Sequence, residues 1–97
     1  HPSLLPKYGG LGMYGLHVHE AVVAANETVS GCTIHLVTEN YDEGPILAQA
    51  EVPVNENDTA EVLAGRVFEA ECQLLPNTLV ALANGQISLT DAARWIR

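Results

Sequence analysis

The chain has few basic residues, because 4 lysines and arginines stand against 12 aspartates and glutamates among its 97 residues. The formal net charge is therefore −8. A nucleic-acid backbone or an anionic lipid surface would repel such a chain, so we expect neither nucleic acid nor a membrane as a partner. Long apolar runs are missing as well, since none approaches the roughly 20 residues that a membrane-spanning helix needs.

Cysteine is also scarce. Cys32 and Cys72 are the only two, and they do not form a short metal-ligand spacing. We expect buried thiols in a reducing, cytoplasmic compartment, with one disulfide between them as the alternative. The histidines give no metal pattern either, because His17 and His19 on a helix would point roughly 200° apart. The sequence therefore predicts a protein without a metal ion.

The length allows one small domain and no more. Hydrophobic residues make up 47% of the chain and charged residues 16%, which indicates a globular rather than a disordered protein. The sequence starts at His1, without an initiator Met, in a segment typical of the middle of a fold. We therefore expect residues 1–97 to form a single partial domain.

The first half of the chain predicts one helix and two strands. Apolar residues at helical spacing predict a helix from Val18 to Ala25. Alternating residues predict strands from Cys32 to Thr38 and from Ile46 to Val54, and the turn-rich residues between them indicate an antiparallel hairpin. Pro53 cannot donate to a strand ladder, so we expect it at an edge or at a strand end.

The second half predicts a long helix. Asp58-Thr59-Ala60-Glu61 resembles a capping box at its start, with Asp58 as the capping residue. Pro76 is expected to kink or split the helix, Asn84-Gly85 to end it, and Gln86 to Leu89 to form a short strand. The apolar stripe of this helix consists of Leu63, Val67, Ala70 and Leu74.

Two segments carry a resemblance to a known family. His1-Pro2-Ser3-Leu4-Leu5-Pro6 resembles the HPSLLP segment of the formyltransferases that use 10-formyltetrahydrofolate. Tyr41-Asp42-Glu43-Gly44-Pro45-Ile46 is similar to the D-x-G-x-I segment of the same family. The resemblance implies the C-terminal half of an open, mostly parallel, Rossmann-like α/β sheet, with an antiparallel hairpin and a long C-terminal helix. The N-terminal, nucleotide-binding half of that domain would be absent from the chain and would be its partner.

The resemblance also implies an activity. It points to the branch of the family that transfers the formyl group of 10-formyltetrahydrofolate, as co-substrate, to the amine of glycinamide ribonucleotide in de novo purine biosynthesis. His1 matches the catalytic histidine, which donates to the oxyanion that forms during the attack. Asp42 matches the catalytic aspartate, which favours the charged imidazole and relays protons through a water. Without the resemblance, Asp42 is an ordinary turn carboxylate and Glu71 a solvated helix residue.

Binding residues follow from the same resemblance. Glu71 matches the helix carboxylate that contacts the ribose hydroxyls, and Pro2 lies beside the glycinamide. Phe68 departs from a polar residue of the family, and residues 9–14 lengthen a loop that either reshapes the nucleotide side or, as we expect, lies at the surface. The stretch whose backbone holds the pterin ring comprises Val37, Thr38, Glu39, Asn40, Tyr41 and Asp42.

Three alternatives remain open. A formyltetrahydrofolate deformylase would pass the formyl group to water, although Pro2 favours a transferase. Formyltransferases that act on initiator methionyl-tRNA or on sugar nucleotides share the same core. An inactive fragment that only binds folate or a partner chain is the third possibility.

Overall fold

A computed structural model describes residues 1–36 and 44–87 of the chain. Within these ranges the structure is a small α/β unit of two helices and one two-stranded antiparallel sheet. The described residues include no parallel strand pair, so they do not reach the mostly parallel sheet expected of the whole domain. The elements in chain order are α1 (Leu16–Ala24), β1 (Val29–His35), β2 (Ile46–Pro53) and α2 (Ala60–Ala83).

The predicted antiparallel hairpin is confirmed. The register runs from Val29 opposite Pro53 to His35 opposite Ile46, with an irregularity next to His35. β1 begins earlier than predicted, because Val29 to Gly31 pair with the last residues of β2. Pro53 lies at a strand end, where its missing N–H costs no ladder bond. The predicted end of β1 at Thr38 falls outside the described residues.

One hydrophobic core joins all four elements. The buried residues are Val22 of α1, Cys32 of β1, Val52 of β2, and Leu63 and Val67 of α2. α2 packs across both strands and also contacts α1. The apolar stripe predicted for α2 is therefore confirmed as the face that covers the sheet.

The start of α2 corrects the predicted capping box. Thr59, not Asp58, caps the helix, and its hydroxyl accepts a hydrogen bond from the backbone N–H of Val62 at 3.2 Å. The Asp58 carboxylate instead accepts from the backbone N–H of Asn55 at 2.8 Å and from the guanidinium of Arg66. A bidentate ion pair satisfies this carboxylate better than a single capping bond would.

The predicted split of α2 at Pro76 is wrong, because one helix runs through this residue from Ala60 to Ala83. The predicted end of the helix at Asn84-Gly85 is confirmed. Gly85, at φ 73°, donates to the carbonyl of Leu82, and Gln86 donates to the carbonyl of Ala81. This is the Schellman arrangement, in which a glycine in the left-handed region closes the last turn. Gln86 and Ile87 do not form a strand, and the rest of that predicted strand lies outside the described residues.

The cysteines are not paired. Cys32 is a buried free thiol and Cys72 is an exposed free thiol, so the disulfide alternative is wrong and the expectation of two buried thiols holds for Cys32 alone. Within residues 1–36 and 44–87, no helix has both the length and the apolar character needed to cross a membrane.

Candidate functional site

His1 is fixed against β1 through its main chain. Its amino group donates to the carbonyl of Thr33 at 2.7 Å, and the N–H of Thr33 donates back to the carbonyl of His1 at 2.8 Å. The ring Nε2 lies 2.8 Å from the carbonyl oxygen of Tyr8, which can only accept, so Nε2 carries a proton. These contacts orient the imidazole.

The Thr33 hydroxyl attaches the segment after His1 to the sheet. It donates to the carbonyl of Ser3 at 2.7 Å and accepts from the N–H of Leu5 at 3.1 Å. The amide of Gln49 on β2 donates both to this hydroxyl at 3.0 Å and to the carbonyl of Leu5 at 2.9 Å. Thr33 is fully buried, so its bonds to Ser3 and Leu5 are shielded from water and hold this segment against the sheet.

Gly31 lets the backbone of β2 come close to β1. A Cβ at this position would meet the carbonyl oxygen of Ala50 and would lie 2.7 Å from Cδ2 of Leu4. A side chain at position 31 would therefore force the two strands apart and would also displace the side chain of Leu4.

A cavity of about 420 Å³ lies where this segment meets the two helices. It brings together three residues that the sequence predicts for the site, namely His1, Pro2 and Glu71. They come from opposite ends of the chain, so only the fold makes them neighbours. The full lining is His1, Pro2, Gly15, Leu16, His19, Ala64, Phe68 and Glu71.

Glu71 is partly buried rather than fully solvated. Burial raises the pKa of the Cys32 thiol, and the negative charge of Glu71 raises it further. Glu71 also lines the cavity. The ribose contact assigned to Glu71 stays a prediction.

His19 is a cavity residue that the sequence predicted neither as catalytic nor as substrate-binding. Its exposed fraction is 4%, and its Nδ1 is buried without a hydrogen-bond partner. Burial lowers its pKa, which favours the neutral ring. The sequence could have indicated its burial, because His19 lies three residues before Val22 and therefore on the same face of α1.

His17, the other histidine of α1, is exposed, and its Nδ1 lies 3.3 Å from the carbonyl oxygen of Gly12. In the part of the chain that the structure describes, no three His, Cys, Asp or Glu side chains are grouped to hold a metal ion.

The lengthened loop is both exposed and close to the site. Leu11 and Tyr14 are largely exposed, as expected of a surface loop. Residues 10–15 nevertheless line a second cavity of about 420 Å³ together with His1 and Pro2. The loop therefore borders the predicted reaction centre.

Asp42 and the whole folate-binding stretch, Val37 to Asp42, lie outside the described residues, and their roles stay predictions. The described residues on either side of the stretch are close together. The N–H of Leu36 donates to the carbonyl of Pro45 at 2.9 Å, and Gly44 and Pro45 are buried. The hairpin thus holds the described residues on either side of this stretch close together.

Comparison with known proteins connects this arrangement to one family. The sequence model of the formyl transferase family matches residues 1–79. A chloroplastic phosphoribosylglycinamide formyltransferase of Vigna unguiculata is 55% identical over 87 residues, which cover 90% of this chain and 28% of the relative.

Solved structures of formyltransferases also match this chain. A phosphoribosylglycinamide formyltransferase from Anaplasma phagocytophilum matches with a TM-score of 0.81 and 42% identity, over 92% of this chain and 40% of the other. An N-formyltransferase from Helicobacter canadensis was solved with folinic acid and dTDP-3-aminofucose. It matches with a TM-score of 0.79 and 30% identity, over 91% of this chain and 31% of the other. The chain thus spans well under half the length of these relatives.

Proposed function

Because the chain belongs to the formyl transferase family, we propose that it is part of a phosphoribosylglycinamide formyltransferase. The reaction would move the formyl group of 10-formyltetrahydrofolate to the amine of glycinamide ribonucleotide, in purine biosynthesis. The observation that carries the proposal is the cavity shared by His1, Pro2 and Glu71. The 55% identity to an enzyme of this name, against 30% to the sugar N-formyltransferase, favours this substrate.

His1 would act at the reaction centre. In the reaction the substrate amine forms a bond to the formyl carbon, negative charge develops on the formyl oxygen, and the bond to the folate nitrogen breaks. The imidazole, oriented by the carbonyl of Tyr8, would donate to that oxygen in its protonated form. Asp42 would stabilise the charged ring and, through a water, pass the proton of the attacking amine to the folate nitrogen.

The remaining predicted residues would bind the two substrates. The backbone of Val37 to Asp42 would hold the pterin ring, which presents a flat edge of donors and acceptors. The bond between Leu36 and Pro45 supports this role because it holds the described residues on either side of the stretch close together. Glu71 would accept from the ribose hydroxyls, and Pro2 would lie beside the glycinamide.

We also propose that these 97 residues are the C-terminal half of the domain. The N-terminal half would supply the parallel strands and the nucleotide-binding turn, and it would cover α2. An apolar stripe on α2 supports this, because Phe68, Leu75 and Leu79 share one face of the helix and are 47–62% exposed. The chain covers 28% of the length of the Vigna relative and 40% of the Anaplasma structure, as expected for half of a domain or less.

The free Cys32 thiol supports a cytoplasmic location. A plastid is the alternative, since the Vigna relative is named chloroplastic.

A formyl-transfer assay tests the function in the protein that carries this chain. The protein is given 10-formyltetrahydrofolate with glycinamide ribonucleotide, with dTDP-3-aminofucose, or with water alone, and loss of the formyl donor is followed by absorbance. We expect turnover only with glycinamide ribonucleotide. Equal turnover in water would indicate the deformylase, and turnover only with the sugar nucleotide would indicate that branch of the family.

A further inference from the structure

Tyr8 has a backbone conformation that its side chain does not favour. Its φ is 56°, in the left-handed region, which residues other than glycine rarely adopt and which is an outlier for a bulky side chain. Strained residues of this kind persist only where the surrounding structure holds them, and they cluster at functional sites. The conformation of Tyr8 therefore calls for an explanation.

Contacts on both sides of the α-carbon hold this conformation. The side chain of Tyr8 packs against the hydrophobic core, so its ring serves as an anchor. The preceding residue, Lys7, is fixed through its main chain. Its N–H donates to the carbonyl of Leu4 at 3.1 Å, and its carbonyl accepts from the hydroxyl of the fully buried Ser3 at 2.6 Å. The main chain at Tyr8 is thus held between the core and a closed turn.

The left-handed conformation directs the Tyr8 carbonyl to His1. Because the ring of Tyr8 and the main chain of Lys7 are both fixed, φ decides where this carbonyl lies, and a negative φ would break its contact with His1. The carbonyl oxygen lies 2.8 Å from Nε2 of the His1 ring and can only accept, so the proton of the neutral ring is held on Nε2. A carbonyl accepts more strongly from a charged donor, so the same contact also stabilises the protonated ring.

We propose that Tyr8 is a positioning residue whose left-handed main chain, anchored by its ring in the core, fixes the orientation and the tautomer of the His1 imidazole through the Tyr8 carbonyl. This proposal rests on the proposed function, because a fixed ring matters only if His1 acts at the reaction centre. Tyr8 acts through His1 and takes no part in the chemical step. The exposed, lengthened loop begins directly after Tyr8, so the anchor also keeps the loop from shifting the ring.

Two substitutions of similar size separate the backbone of Tyr8 from its side chain. Tyr8→Asn removes the ring but tolerates the left-handed region, whereas Tyr8→Val keeps an apolar side chain and disfavours that region. In the protein that carries this chain, we expect kcat of formyl transfer to fall about 10- to 100-fold in Tyr8→Val, as for a misplaced catalytic group. Tyr8→Asn should retain more of kcat, and KM for both substrates should stay near the wild-type values. The reverse order, or equal kcat in the two variants, would overturn the proposal.

Asn26→Val is the matched control for strain. Asn26 has the same φ of 56°, at an exposed position after α1, and it lines neither of the two cavities that contain His1. The variant therefore introduces the same conflict far from the imidazole, and kcat should stay at the wild-type value. A fall in kcat as large as that of Tyr8→Val would assign the effect to general destabilisation and would overturn the proposal.

The tautomer of His1 is read directly by ¹⁵N NMR of the histidine rings, which needs no turnover. The His1 signal is identified by its loss in His1→Ala, and the spectra are recorded at a pH at which the ring is neutral. Wild type and Tyr8→Asn should carry the proton on Nε2, and Tyr8→Val should show a mixture of tautomers. One tautomer shared by all three proteins, or a proton on Nδ1 in the wild type, would overturn the proposal.

Two further arms keep the test decisive. If Tyr8→Val does not fold, Tyr8→Gly and Tyr8→Ala replace it, since both lack the ring and only glycine enters the left-handed region without a steric cost. A higher kcat and a larger share of the Nε2–H tautomer in Tyr8→Gly support the proposal, and equal values overturn it. If even the wild type transfers no formyl group, the proposed function fails, and the ¹⁵N spectra alone decide whether Tyr8 fixes the ring of His1.

Discussion

The main chains of His1 and Thr33 are joined by two hydrogen bonds, one in each direction. The residue predicted to act at the reaction centre is therefore attached directly to β1. The same strand continues to His35 and, in sequence, towards Asp42. The proposed catalytic pair thus depends on one strand, which holds His1 by backbone pairing and leads to Asp42 along the chain.

Thr33→Val should destabilise the protein. The change removes a hydroxyl that donates to Ser3 and accepts from Leu5 and Gln49, and it leaves the buried Ser3 carbonyl and Leu5 N–H without this partner. We expect a loss of about 2–3 kcal/mol in the free energy of unfolding, measured with urea. Thr28→Val is the matched control, because Thr28 is exposed, and it should change stability little. Equal losses in both variants would show that the network does not hold the segment.

Gly31→Ala and Gly65→Ala should change stability in opposite directions. At Gly31 a methyl group would collide with the carbonyl of Ala50, and we expect a loss of about 1–3 kcal/mol. At Gly65, in α2, nothing lies within 4 Å of the added carbon, and alanine should add about 0.5–1 kcal/mol through helix propensity. Thermal unfolding of both variants measures this. A loss at Gly65 or none at Gly31 would contradict the packing described.

The sequence predicts the elements better than it predicts their contacts. The spacing of Leu63 and Val67 determines which face of α2 covers the sheet, because burial follows the helical period. The partners of Asp58 and Thr33 could not be predicted in this way. Asp58 bonds to Arg66, two turns along the helix, and Thr33 bonds to Ser3, and both contacts exist only once the chain has folded.

The sequence likewise predicts only part of the candidate site. The resemblance identifies His1, Pro2 and Glu71 by motif, and the cavity then brings them together. His19 lies in a segment that resembles the family, but the resemblance gives it no role in the site. Its buried Nδ1 without a partner becomes visible only in the structure.

The ion pair between Asp58 and Arg66 should make stability depend on pH. Hydrogen bonds from Arg66 and from the backbone of Asn55 lower the pKa of Asp58 in the folded state. The unfolded chain then binds the proton more readily, so this contribution is present above about pH 4 and is lost as the pH falls below it. Asp58→Asn should therefore be less stable than wild type at pH 7, and the gap should close towards pH 2–3.

Unfolding curves at several pH values measure this difference. Glu56→Gln, at an exposed neighbouring position, makes the same change in charge and should show no such convergence. A gap between wild type and Asp58→Asn that stays constant from pH 7 to pH 2–3 would contradict the ion-pair explanation.

Glu71→Gln should weaken binding of the nucleotide substrate selectively. The variant keeps the size of the side chain and removes the charge that strengthens a hydrogen bond from a hydroxyl. We expect KM for glycinamide ribonucleotide to rise roughly tenfold, with little change in KM for the formyl donor. Glu69→Gln, on an exposed position of the same helix, is the control. Similar KM values for the two variants would remove Glu71 from the binding site.

Following an isotopic label tests the central claim most directly. The protein that carries this chain is incubated with 10-formyltetrahydrofolate labelled in the formyl carbon and with glycinamide ribonucleotide, and the products are separated. The label should appear on the amine of the ribonucleotide, and His1→Ala should abolish this transfer while His17→Ala preserves it. Label recovered only as free formate, or transfer that persists in His1→Ala, would contradict the account.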